Sequence, residues 1–169
     1  MDAAILSIGN ELTLGQTLDT NTAWLARQLA AIGITVRLHV TIADELEPIR
    51  REIDRACGLA DAVLITGGIG PTEDDLTRHA LAAVLGVGLT RREACVQQIE
   101  AFFRSRGRAM PEANIIQAML PEGTDAIENT CGTAPGIRAR WKRASIFVMP
   151  GVPREMKVMY ERSVLPLLR

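Results

Sequence analysis

A short apolar run, Ala62–Ile65, passes directly into Thr66-Gly67-Gly68-Ile69-Gly70-Pro71, and a helical period begins at Leu76. A buried strand that ends in a glycine turn and opens a helix belongs at the carboxyl edge of an α/β sheet, where such folds bind ligands. Glycines let the backbone approach a ligand closely and take positive φ, while free N–H groups at a helix start attract anions. The turn has neither the G-x-G-x-x-G spacing of a dinucleotide loop nor the closing Lys-Ser/Thr of a P-loop. Two readings stand. The turn is a phosphate site, or it is a tight strand-to-helix turn with a cap, since Thr72 and Asp75 have capping-box spacing and acids in a first turn favour the helix dipole.

Capping alone does not call for three consecutive acids, Glu73-Asp74-Asp75. Their charge repels a phosphate at the same helix end. An anion here therefore calls for a bridging divalent cation, or for acids that work on the reacting group. Carboxylates with water and phosphate oxygens are typical magnesium surroundings, which makes Asp74 and Asp75 the candidate metal ligands.

The rest of the chain repeats the strand–helix alternation. Ala3–Ile8 reads as a buried strand and Ile34–Thr41 as a second. Trp24, Leu25, Gln28, Leu29 and Ile32 recur at helical spacing, with Gly33 at the C-terminal cap. Glu45–Cys57 is helical by the same period, and Gly58 is expected to end it. Leu76–Leu85 and Glu93–Arg106 look helical. Ala126–Asn129, Gly136–Arg140 and Ala144–Met149 are candidate strands, with a turn at Trp141-Lys142-Arg143. Pro150-Gly151-Val152-Pro153 breaks the last strand before a closing helix, Arg154–Leu168. This order predicts an α/β domain with a mostly parallel central sheet, helices on both faces, and residues 1–169 as one unit.

Parallel strands end at one edge, so four loops should meet there: Gly9-Asn10-Glu11-Leu12, Asp44-Glu45, the glycine turn, and Pro150–Pro153. Asp44 is either the N-cap of the next helix or a catalytic acid. Asn114 and Gln117, about one helical turn apart, suit hydrogen bonds to a base or sugar, or to local structure. His39 and His79 are read as structural, Trp24 as core, and Arg91-Arg92 and Arg104–Arg108 as solvated helix ends, with Arg106 or Arg108 able to reach a phosphate in a neighbouring subunit.

Charge narrows the partners. With 19 basic and 20 acidic side chains the net charge is −1, which leaves no footprint for nucleic acid and no basic membrane face. Cys57, Cys95 and Cys131 are scattered, with no CxxC pair, against a disulfide framework or zinc site. No apolar run approaches the roughly 20 residues of a membrane helix, and the N-terminus lacks the marks of a signal peptide. The expected location is the cytoplasm.

The run Gly67–Thr77 resembles the signature of CinA-type competence/damage-inducible proteins, in the molybdopterin-binding-like superfamily of MogA- and MoaB-type proteins and gephyrin. Gly9-Asn10-Glu11-Leu12 with Gly15-Gln16 and Asp19-Thr20-Asn21 is similar to that family's opening motif. Asn114, Gln117-Ala118, Pro121-Glu122-Gly123, Gly132–Gly136 and Pro150–Met156 stand in family order. The resemblance implies a three-layer αβα fold, homo-oligomers, and two functional aspartates that fall on Asp44 and Asp75. It also implies a ligand cradle drawn from Gly9, Asn10, Glu11 and Asn21, from Gly67, Gly68, Gly70, Pro71, Thr72 and Thr77, and from Asn114, Pro150 and Gly151. The activity it implies is hydrolysis of ADP-ribose to AMP and ribose 5-phosphate with magnesium, manganese or cobalt. Molybdopterin binding or adenylyl transfer is the alternative, and a non-catalytic binding and oligomerisation module is a third. Ile69 stands where molybdopterin transferases carry a Thr, and Asn10 where many relatives have Asp or Thr. Full CinA-type proteins carry a C-terminal nicotinamide-nucleotide deamidase domain, which would begin beyond Leu168-Arg169.

Overall fold

Strands buried on both faces read as unbroken apolar runs, and three such runs form the centre of the sheet. The structure, a computed structural model, describes Met1–Arg169. Its strands β1 (Asp2–Ile8), β2 (Thr35–Ile42), β3 (Ala62–Thr66), β6 (Asp125–Ile127), β7 (Gly136–Trp141) and β8 (Ala144–Met149) make one sheet in the order β2-β1-β3-β8-β7-β6. The first four in that order run parallel, β7 runs antiparallel to β8, and β6, antiparallel to β7, returns to the direction of the first four. The mostly parallel αβα architecture expected from the sequence is present.

Side-chain alternation divides the core between the two faces. Ala4, Leu6 and Ile8 of β1 pack with Val63, Ile65, Ile146 and Val148 beneath helices α3 (Leu46–Leu59), α4 (Thr77–Leu85) and α5 (Glu93–Arg104). Ala3 and Ile5 pack with Leu64, Phe147 and Met149 against α2 (Thr20–Ala31) and the C-terminal helical segment. Asp19 caps α2 by accepting the Thr22 N–H at 2.9 Å. A four-residue helix, α1 (Asn10–Thr13), follows β1.

Several boundaries differ from expectation. Gly58 does not end α3, which continues to Leu59, and a Cβ at Gly58 would meet nothing within 4 Å. Gly58→Ala should therefore stabilise by about 0.5–1 kcal/mol through lower unfolded-state entropy, raising the thermal midpoint by about 1–4 °C. An unchanged or lower midpoint in a thermal melt would refute this.

The strand expected at Ala126–Asn129 starts one residue earlier and ends two earlier, at Asp125–Ile127. Two three-residue strands, β4 (Leu89–Arg91) and β5 (Met119–Pro121), pair away from the main sheet, and Glu112–Ala118 is a 3₁₀ segment. The closing helix is not uniform: α6 (Pro153–Met159) widens to a π turn over Tyr160–Val164 before α7 (Leu165–Leu168). Pro166 has no N–H to close an α-helical bond back to Arg162, and the wider turn accommodates that loss. Trp24 is half-buried at the core's edge, its ring edge-on to Tyr160 at 5.3 Å. No helix is long and apolar enough to cross a membrane.

Candidate functional site

The carboxyl ends of β1, β2, β3 and β8 converge on a cleft of about 610 Å³, within the usual size range for small-molecule sites, about 300–1,000 Å³. All four loops named from the sequence reach it. Gly9 and Glu11 follow β1, Asp44 follows β2, Gly67–Thr72 with Asp74 and Asp75 follows β3, and Pro150–Val152 follows β8.

The loops are tied to one another. Gly67 donates its N–H to Met149 O at 3.1 Å, and Gly9 donates to Ile42 O at 3.0 Å. Asn10 and Asp44 exchange two bonds: the Asn10 N–H donates to Asp44 Oδ2 at 2.8 Å, and the Asp44 N–H donates to Asn10 Oδ1 at 3.1 Å. Asp44 is therefore not the N-cap of α3. Glu45 occupies that position without a side-chain cap bond, and the Asp44 carboxylate is held at the cleft with Oδ1 free of any protein donor. Burial raises the Asp44 carboxyl above its ordinary pKa. The Asn10 N–H opposes this, and the charges of Glu11, Asp75 and Asp74 add to it.

Asp75 is placed differently. Its Oδ1 accepts the Gly70 N–H at 2.8 Å, while Oδ2 accepts the Thr72 N–H at 2.9 Å and the Thr72 hydroxyl at 2.6 Å. The Thr72–Asp75 pair thus closes the loop on itself and does not cap a helix: α4 begins two residues later, at Thr77, without a side-chain cap. Both Asp75 oxygens are engaged, so this side chain shapes the loop first.

Thr77 is fully buried, and its hydroxyl donates to Gly67 O at 2.9 Å, supporting the loop from below. Asn114 also lies outside the cleft lining. Its Nδ2 donates to Gln117 Oε1 at 2.9 Å, and Gln117 is the residue that reaches the cleft. Asn21 borders a small adjoining cavity behind Glu11, donating to Gly151 O at 2.8 Å while its own Oδ1 is buried without a partner. His39 and His79 are exposed and border neither cavity. Arg106 stacks on Phe102, 3.5 Å from the ring centroid.

Glu155 enters the sequence reading only as part of the Pro150–Met156 run, and Arg78 does not enter it. Glu155 lines the cleft and accepts from Asn129 Nδ2 at 2.7 Å. Arg78 is 1% exposed and donates to the Ile69 and Gly70 carbonyls from below. A signal existed for Arg78: three residues before Leu81, it falls on the buried stripe of α4.

Charge in the cleft is one-sided. Glu11, Asp44, Asp74, Asp75 and Glu155 line it, and no Lys, Arg or His does. No three acidic, His or Cys side chains stand close enough to form a metal cage. The arrangement fits an ion that arrives with phosphate oxygens and keeps water ligands, as magnesium does with one or two carboxylates. Glu11, Asp74 and the free oxygen of Asp44 present cleft carboxylate oxygens that no donor of the chain engages.

An αβα domain with an acidic, glycine-walled cleft at the carboxyl edge of its parallel strands is the class of protein defined here. The chain belongs to the family described as "Probable molybdopterin binding domain", which matches residues 4–169. It is 47% identical over 168 residues to a CinA-like protein of Thermomicrobium roseum, covering 99% of this chain and 41% of that one. With a CinA-like protein of Frankia casuarinae it shares 44% identity over 171 residues, covering 98% and 40%. The chain thus spans about two fifths of the length of these curated relatives. The crystal structure of the protein CinA from Thermoplasma acidophilum superposes with a TM-score of 0.91 at 30% identity, covering 99% of this chain and 98% of that one. The molybdopterin biosynthesis enzyme MoaB of Thermus thermophilus shares the fold, with a TM-score of 0.63 at 22% identity over 99% and 91% of the two chains.

Proposed function

We propose that the cleft hydrolyses ADP-ribose to AMP and ribose 5-phosphate with a divalent metal. The observation that carries this reading is a glycine loop with unpaired N–H groups set in a cleft whose charged lining is wholly acidic. The N–H groups of Gly68 and Ile69 have no acceptor within the chain, so they are available to phosphate oxygens. The surrounding carboxylates repel a bare diphosphate, and a divalent cation resolves that conflict.

When bound, the metal would neutralise phosphate charge and make the phosphorus more electrophilic. Asp74 would hold it, with water and the phosphate oxygens completing its ligands. The Gly68 and Ile69 amides would orient the phosphates and stabilise charge on their oxygens. Asp44, with one oxygen uncommitted and a raised carboxyl pKa, is the base of this scheme: it takes a proton from the attacking water as oxygen bonds to phosphorus. The bridging P–O bond breaks, and AMP and ribose 5-phosphate leave. Asp75 positions the loop.

Incubation of the purified protein with ADP-ribose and magnesium, manganese or cobalt should release AMP, and a chelator should stop it. Absence of AMP with all three metals would overturn this reading. The family description supports a second reading, a pterin phosphate bound in the same cleft, with Gln117 offering a carboxamide to a heterocycle edge. Calorimetry with molybdopterin and with ADP-ribose separates the two.

A further inference from the structure

Arg78 is the cation packed directly beneath the glycine loop, and it never reaches the cleft surface. We propose that Arg78 is a positioning residue that keeps this loop in its anion-accepting form. The proposal rests on the reading that the loop holds phosphate.

The geometry centres on one peptide group. The carbonyl of Ile69 accepts from Arg78 Nη1, and the N–H at the other end of that peptide, on Gly70, donates to Asp75 Oδ1 at 2.8 Å. A guanidinium and a carboxylate thus grip the Ile69–Gly70 peptide from opposite ends, and charge-assisted bonds are the stronger kind. Arg78 Nη2 draws in the next carbonyl, Gly70 O, at 2.6 Å. With both carbonyls bonded below, they are kept from presenting partial negative charge to a ligand. The preceding amides, Gly68 and Ile69, are left without chain acceptors.

Packing does not explain the guanidinium. Its Nε is buried with no partner, and an unbranched apolar side chain would fill the space without that unmet donor. Burial draws its pKa down to about 10, with the Asp75 charge opposing the shift, so the charge is present at neutral pH. A lysine would keep the charge but lose the planar fork that meets two carbonyls at once.

The test compares wild type, Arg78→Met and Arg78→Lys. In ligand-free protein, amide hydrogen exchange at Gly70 should accelerate about tenfold or more in both variants, while β3 amides keep their wild-type rates. With ADP-ribose and metal, KM should rise about 10- to 100-fold in Arg78→Met, with kcat changed much less. Arg78→Lys should show a smaller rise, because its charge remains. Unchanged exchange, or faster exchange with an unchanged KM, overturns the proposal, as does a lysine variant matching wild type in both. If Arg78→Met does not fold, Arg78→Lys decides alone. If wild type releases no AMP, the proposed reaction falls, and the exchange measurement still tests the grip on the loop.

Discussion

Asp44→Asn will reduce AMP release from ADP-ribose by about 10²- to 10⁴-fold, the usual contribution of a positioned acid or base, while leaving the fold intact. The substitution spares the tie between the first two loops. Asn retains an acceptor oxygen for the Asn10 N–H, and the bond from the Asp44 N–H to Asn10 Oδ1 is made by backbone. It also removes one carboxylate from a group that includes Glu11, Asp74 and Asp75, so no stabilising charge is lost. The thermal midpoint should stay within about 2 °C of wild type. Asp75→Asn serves as the contrast. Its amide would turn a donor toward the Thr72 N–H and hydroxyl or toward the Gly70 N–H, where the carboxylate now accepts all three. That variant should lose stability and activity together. Product release by Asp44→Asn above a tenth of the wild-type rate would remove Asp44 from the chemistry.

The contrast between these two aspartates marks where the sequence stops being informative. Both stand after parallel strands, and both were expected at the cleft, which is a matter of topology. What separates them is the set of donors each carboxylate meets, and that depends on loop geometry. Thr72–Asp75 illustrates the point: the same three-residue spacing serves a helix cap or a self-closed turn, and here it makes the turn. The central strands were legible because burial on both faces leaves a continuous apolar run, as in Ala62–Ile65. β4 and β5, three residues each, carry no period long enough to read. A single arginine in a helical stretch usually faces solvent, and only its place on the apolar stripe of α4 marks Arg78 as buried.

Gly67→Ala should be the most destabilising single change in the loop, lowering the thermal midpoint by about 10 °C and abolishing nucleotide binding. Gly67 has φ of 93°, and an added Cβ would overlap the carbonyl oxygen of Ile8. That oxygen belongs to β1, which is paired on both sides by β2 and β3, so it has little freedom to withdraw. On the other side the Gly67 N–H is bonded to Met149 O of β8, and a Cβ added at Gly151 would come within 3.4 Å of the Gly67 Cα. The left-handed conformation alone costs about 1–2 kcal/mol in an L-residue, and forcing a methyl into a filled space adds about 1–3 kcal/mol. The sum, about 2–5 kcal/mol, is a large share of the usual stability of a domain. Gly86→Ala separates the two contributions. Gly86 has φ of 69° at the end of α4, yet nothing stands within 4 Å of its missing Cβ, so only the conformational cost applies. Thermal melts of both variants should place Gly67→Ala well below Gly86→Ala. Equal midpoints would mean that the loop does not press against β1, and the tight joining of the strand ends that shapes the cleft would have to be abandoned.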